Sequence, residues 1–184
     1  MNYLGIEKSS ISNGPGVRVV LWVAGCSIHC KGCQNPESWN FNAGKLFDGD
    51  AKQKLFEVLS KSYIQGITFS GGHPLEPENI HGIRILIEEI KDKFPDKDIW
   101  LYTGYNLDYI SPCFQVMPPQ TYTLEQAKLM CDVFDVFSLC DVVVDGPYIE
   151  EQRDITLKFR GSKNQRIIDV KETLKQGRII TIQN

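Results

Sequence analysis

The sequence predicts an α/β fold, with parallel strands joined by helical crossovers into a sheet or partial (β/α) barrel and functional loops at the C-terminal strand ends. Three observations carry that prediction. Short apolar runs alternate along the chain with stretches of helical periodicity, and glycine or proline punctuates the junctions. The loop richest in chemistry follows directly on the first of those runs.

Val17 to Val23, VRVVLWV, is continuous, rich in β-branched residues and bounded by Gly16 and Gly25, as expected of a buried strand. From about Asp50 to Ser62, Leu55, Phe56, Val58 and Leu59 fall at helical spacing, and Gly66 precedes a brief strand from Ile67 to Ser70. The clearest helix runs from about Pro77 to Phe94. There Ile80, Ile83, Ile87, Ile90 and Phe94 step by threes and fours, and Pro95 closes the element. Ile99 to Tyr102 reads as the next strand, Leu124 to Phe137 as the next helix and Asp141 to Asp145 as a further strand ending at Gly146 and Pro147. Ser111 to Thr123, with Pro112, Pro118 and Pro119, is the one long irregular stretch, an insertion or a lid. The tail from Asp154 holds RGSKNQR, which reads first as a solvated turn, then a short helix and a final apolar run, RIITI.

A chain of 184 residues with 42% hydrophobic content suits one domain, 1–184, with its own core. Twenty basic against twenty-three acidic side chains leave a net charge of −3. That supplies no field for a phosphate backbone, so nucleic acid is not expected as the main ligand. The N-terminus MNYLGIEKSS lacks the basic stretch and apolar core of a signal peptide, and no segment approaches the roughly 18 apolar residues of a membrane span. A soluble cytoplasmic protein with no membrane partner is therefore expected. In that compartment thiols stay reduced, so clustered cysteines among the six read as ligands before disulfides.

The cluster is AGCSIHCKGC, which sets Cys26, Cys30 and Cys33 in a C-x3-C-x2-C spacing on a loop punctuated by Gly25 and Gly32. Three thiolates so close together can wrap one face of an iron-sulfur cube and leave the fourth iron open for chemistry. Zinc is the competing reading, with His29 as a fourth ligand, although His29 adjoins Cys30 and the two share a tetrahedral ion awkwardly. Cys113, Cys131 and Cys140 have no paired spacing and read as core or incidental thiols. Trp39, Trp100 and Tyr102 read as core or rim aromatics.

In that loop the sequence resembles the radical S-adenosylmethionine superfamily, whose hallmark is a C-x3-C-x2-C loop after the first strand of a partial (β/α) barrel. Asn13 to Arg18 before the strand, Asn35 to Trp39 after the cysteines and Ser70-Gly71-Gly72-His73-Pro74-Leu75 extend the likeness to the glycyl-radical activating enzymes. Tyr102 to Tyr105, Val144 to Pro147 and Arg160 to Arg166 narrow it to the family that activates anaerobic ribonucleoside-triphosphate reductase.

The resemblance implies a [4Fe-4S] cluster on Cys26, Cys30 and Cys33, with S-adenosylmethionine bound at the open iron. It also implies that Gly32, Cys33, Gln34, Ser70, Gly71, Gly72 and His73 line the S-adenosylmethionine site. The implied reaction uses an electron from a flavodoxin-like donor to cleave S-adenosylmethionine to methionine and a 5'-deoxyadenosyl radical. That radical takes a Cα hydrogen from a glycine of the reductase large subunit, the implied partner. Two positions depart from many relatives: His73 stands where an acidic residue is usual, and Gln34 where an aromatic one is.

Overall fold

The structure is a computed structural model and describes residues 1–114 and 122–182. Among the described residues, seven strands form one sheet: β1 (Asn2–Ser10), β2 (Val17–Val23), β3 (Lys45–Leu46), β4 (Ile64–Gly71), β5 (Asp98–Tyr102), β6 (Val142–Asp145) and β7 (Arg166–Asp169). Their order is β3-β1-β2-β4-β5-β6-β7. The helices are α1 (Gly49–Leu59), α2 (Pro77–Lys93), α3 (Leu124–Leu139) and α4 (Val170–Gln176).

The four central strands, β2, β4, β5 and β6, pair in parallel, and α1, α2 and α3 supply the crossovers between them. The two sides of this block are antiparallel: β1 pairs with β2 and β3, and β7 pairs with β6. The expectation of parallel strands thus holds in the centre and fails at both flanks, and the described strands make an open mixed sheet. The flanks were hard to read because their apolar signal is thin. Most of β1 is only half-buried, β3 has two exposed residues, and β7 has just Ile167 and Ile168 in the core. The long irregular stretch divides as well. Its start belongs to a 3-10 segment, Leu107–Phe114, while Pro118 and Pro119 lie outside the described residues.

Strand side chains alternate between two faces. Val19, Leu21 and Val23 of β2 join Ile67 and Phe69 of β4, and Ile99 and Leu101 of β5, in a core covered by the helices. From α2, Ile80, Ile83, Ile87 and Ile90 enter that core, and each such buried side chain contributes roughly 1.5–3 kcal/mol. Caps fix the helix starts. The Asp48 carboxylate accepts from Ala51 N at α1, and Thr123 with Gln126 makes a capping box at α3. At α2 the N-cap residue is Glu76, yet its carboxylate does not cap the helix, and Pro77 follows it.

The opposite face of the sheet holds a fully buried guanidinium. Arg18 Nε donates to Thr68 Oγ1 at 2.9 Å, and Nη2 donates to the Ile67 carbonyl at 2.8 Å and pairs with Asp98 Oδ1 at 2.5 Å. The guanidinium also lies over the Trp100 ring, 5.4 Å from its centroid. Thr68 Oγ1 in turn donates to the Asn13 carbonyl at 2.7 Å, so the loop before β2 is pinned beneath the sheet. Arg18→Ala would leave Asp98 without its cation. We expect a loss of about 3 kcal/mol in unfolding free energy, read from denaturant midpoints. A loss no larger than that of an exposed ion pair, below about 1 kcal/mol, would show that the pair does not hold the two strands together.

Candidate functional site

The cysteine loop leaves β2 at Val23 and has little regular structure, so its shape depends on its neighbours. On one side, Gly25 N donates to the Ser38 carbonyl at 2.8 Å and Cys26 N to the Trp39 carbonyl at 3.2 Å. On the other, Gly72 N donates to the Val23 carbonyl at 2.8 Å and His73 N to the Gly25 carbonyl at 2.7 Å. The loop is therefore hydrogen-bonded between the 3-10 turn Pro36–Ser38 and the segment that follows β4. This arrangement lies at the C-terminal end of the parallel strands, where an α/β sheet carries its site.

A cavity of about 200 Å³ opens there, and Cys26, Cys30 and Cys33 all border it. Each sulfur has backbone N–H groups beside it: those of Ile28 and His29 at Cys26, that of Tyr148 at Cys30, and that of Asn35 at Cys33, which donates at 3.4 Å. Burial pushes the Cys26 and Cys30 thiols up from their ordinary range, and these N–H bonds pull in the opposite direction. N–H donors on sulfur favour the thiolate, which is the form a metal takes.

His29 does not complete the set. It is exposed, and its ring stacks on Trp39 with centroids 4.6 Å apart and planes 24° from parallel. Among the described residues, no three His, Cys, Asp or Glu side chains converge closely enough to clasp a single ion. The donor set is three soft sulfurs bordering one cavity, each supported by amides. Such a set fits an iron-sulfur cluster, which is held by thiolates and tuned by hydrogen bonds to them.

Of the remaining site residues expected from sequence, Gln34, Ser70, Gly71, Gly72 and His73 line the same cavity. Gly32 faces elsewhere: a Cβ at that position would collide with the Glu150 carboxylate. The two glycines after β4 have a packing reason. Gly71 has φ of +102°, and a Cβ there would sit 2.7 Å from the Val23 carbonyl oxygen, while one at Gly72 would strike the Gly25 backbone. Both positions must be glycine for the two loops to lie against each other.

His73 was expected to line the S-adenosylmethionine site, and Glu76 was missed. Both are buried, at 1% and 3% exposure, in one hydrogen-bonded group. Glu76 Oε1 accepts from Ser27 N at 2.7 Å, from Ser27 Oγ at 2.7 Å and from His73 Nδ1 at 3.1 Å. A carboxylate only accepts, so Nδ1 carries a proton, and Nε2 faces Thr103 Oγ1 at 2.6 Å. Tyr105 packs edge-on against the imidazole, 4.2 Å between centroids. Asn79 Nδ2 adds bonds to the Ala24 and His73 carbonyls at 2.9 and 3.1 Å. The carboxylate that does not cap α2 is thus spent on fastening the cysteine loop to the loop after β4. Its place before Pro77 was the sole hint in the sequence, and that hint pointed to a cap.

The RGSKNQR segment also departs from its reading as a solvated turn. Gly161 and Gln165 border the cavity, and Ser162 is fully buried. Gln165 Oε1 accepts from Gly161 N at 2.8 Å and Ser162 N at 3.1 Å, while its Nε2 donates to the Gly146 carbonyl at 3.2 Å.

Residues 12–168 match the family described as a 4Fe-4S single cluster domain. A protein of Haemophilus influenzae, named anaerobic ribonucleoside-triphosphate reductase-activating protein, is 40% identical over 169 residues, covering 91% of this chain and 97% of its own. Proteins of the same name from Enterobacteria phage T4 and Escherichia coli K12 are 41% and 36% identical, covering 91% and 90% of this chain and 93% and 96% of their own. This chain belongs to the anaerobic ribonucleoside-triphosphate reductase-activating protein family. The match to a single-cluster domain supports a 4Fe-4S cluster in this chain.

Glu76 gives the site a pH signature. Burial alone would raise its carboxyl, but the bonds from His73 and Ser27 outweigh burial and bring it down to about 2. A depressed folded value adds stability that is complete above the ordinary carboxyl value of 4.5 and is lost as the pH falls toward 2. Glu76→Gln is therefore expected to be less stable than the parent chain at neutral pH and to converge with it in acid. A gap in denaturant midpoints that stays constant from neutral pH to about pH 3 would contradict this account.

Proposed function

We propose that this chain is a radical S-adenosylmethionine enzyme that activates anaerobic ribonucleoside-triphosphate reductase by generating a glycyl radical on its large subunit. The observation that carries the reading is the set of three amide-supported sulfurs on a cavity shared with Ser70 to His73. The names of the relatives support the partner, and the alternation of β2, β4, β5 and β6 with helices on one face supports a partial barrel of the radical S-adenosylmethionine type.

In this reading Cys26, Cys30 and Cys33 would hold the cluster, and its open iron would bind S-adenosylmethionine. When bound, the cluster and S-adenosylmethionine supply reductive carbon–sulfur cleavage, giving methionine and a 5'-deoxyadenosyl radical that takes a Cα hydrogen from a reductase glycine.

The protein's own part is binding and positioning. Gly71 and Gly72 bring backbone polar groups to the cavity wall without a side chain between. The His73 imidazole has both nitrogens engaged, which fixes its orientation in the wall. Ile28 packs so closely on Gly104 that a Cβ there would collide with it, and this contact closes part of the wall against water. A flavodoxin-like protein is the expected electron donor. The cytoplasm is the expected site of action, in keeping with the finding that no helix among the described residues is long and apolar enough to cross a membrane.

Protein reconstituted with iron and sulfide without oxygen, then reduced, is expected to convert S-adenosylmethionine to 5'-deoxyadenosine, measured by chromatography. Cys30→Ala should abolish that conversion. Cleavage that survives the substitution would show the cysteine assignment to be wrong. Iron-loaded, reduced protein that leaves S-adenosylmethionine intact would reduce the chain to a metal-binding module.

A further inference from the structure

The segment after β6 reaches across the site to the cysteine loop from the far end of the chain. The Tyr148 backbone N–H lies beside the Cys30 sulfur and favours its thiolate. Two residues on, Glu150 opens a 3-10 turn, Glu150–Gln152, and its carboxylate lies directly against the Gly32 backbone. Gly32 adjoins Cys33 and has φ of +74°, so any side chain at that position would be strained and would evict the carboxylate. The Tyr148 hydroxyl donates to Glu150 Oε2 at 2.6 Å and fixes the direction of the carboxylate. Outside this contact, Lys31 pairs with Glu151 at 3.0 Å, with both side chains largely exposed. The cysteine loop is therefore gripped between Cys30 and Cys33 by one short segment carrying an amide donor and an oriented anion.

We propose that Tyr148 and Glu150 form a clasp that sets the reduction potential of the cluster, with the Glu150 carboxylate holding that potential low. The proposal rests on the iron-sulfur reading of the three cysteines. Reduction adds one electron to the cluster, and a fixed negative charge beside a ligand-bearing backbone opposes that addition. A low potential is what electron transfer into a sulfonium requires. Glu150 acts through the loop it touches and is a positioning residue. Glu151 differs, since it is exposed and already neutralised by Lys31, so solvent and salt screen it.

The test is a redox titration of anaerobically reconstituted protein followed by electron paramagnetic resonance, with iron and sulfide content and thermal melting measured on the same samples. Glu150→Gln keeps the shape and removes the charge. We expect reduction to become about threefold easier, which at 59 mV per tenfold is a positive shift of ~28 mV. Tyr148→Phe frees the carboxylate to turn toward solvent and should move the potential in the same direction by a smaller amount. Glu151→Gln should leave it where it was.

A shift in Glu150→Gln no larger than that in Glu151→Gln overturns the proposal. Loss of iron from Glu150→Gln with unchanged melting also overturns it, because the clasp would then retain the cluster without tuning it. A parent chain that takes up no iron and sulfide would be a different failure, that of the iron-sulfur reading itself.

Discussion

The site depends on one constraint: a loop with little secondary structure must hold three sulfurs in fixed positions. Backbone groups in such a loop need partners, or burial is costly. Here the partners come from outside, from the turn at Pro36–Ser38, from the segment after β4 and from the Glu76 carboxylate. Glu76 is the most economical of these, since a single oxygen accepts three hydrogen bonds and joins Ser27 to His73. An ionised carboxylate at 3% exposure is tolerable only because those donors surround it. The departure at His73 becomes intelligible in this setting. An imidazole can bridge two acceptor-bearing neighbours on opposite sides, which a shorter acidic side chain at the same position would do with different partners.

The sheet serves the same end. Parallel strands end together, so the loops after β2, β4 and β6 meet on one rim, and Gly71, Cys26 and Tyr148 come together although they are distant in sequence. The antiparallel flanks cover the sides of the parallel block without altering that rim. Beneath the rim, the buried Arg18 ties the NGPG loop to β4 and β5, so β2, which launches the cysteine loop, is braced at its start as well as its end.

What could be read from the sequence follows the range of the interaction involved. The central strands and α2 were legible because their apolar periodicity is local and strong, as in the isoleucine ladder from Ile80 to Ile90. The cysteine loop stood out because three thiols lie at close spacing, and the structure brings all three to one cavity. The flanking strands were not legible, since their burial is slight and their antiparallel pairing is decided by tertiary contacts. Glu76 was obscured by a local rule that fits it equally well, the acidic residue before a helix. Gly32 and the RGSKNQR segment were misplaced because each is defined by a partner far along the chain, Glu150 for the former and Gly146 for Gln165 of the latter.

The Lys31–Glu151 pair spans 120 residues, and the amide on Cys30 comes from the same distant turn. Contacts of such separation are slow to form, because a long stretch of chain must be ordered before its ends can meet. The cysteine loop is therefore synthesised long before the turn that packs over it, and on that side it stays uncovered until Tyr148 and Glu151 have followed, the latter 120 residues after Lys31.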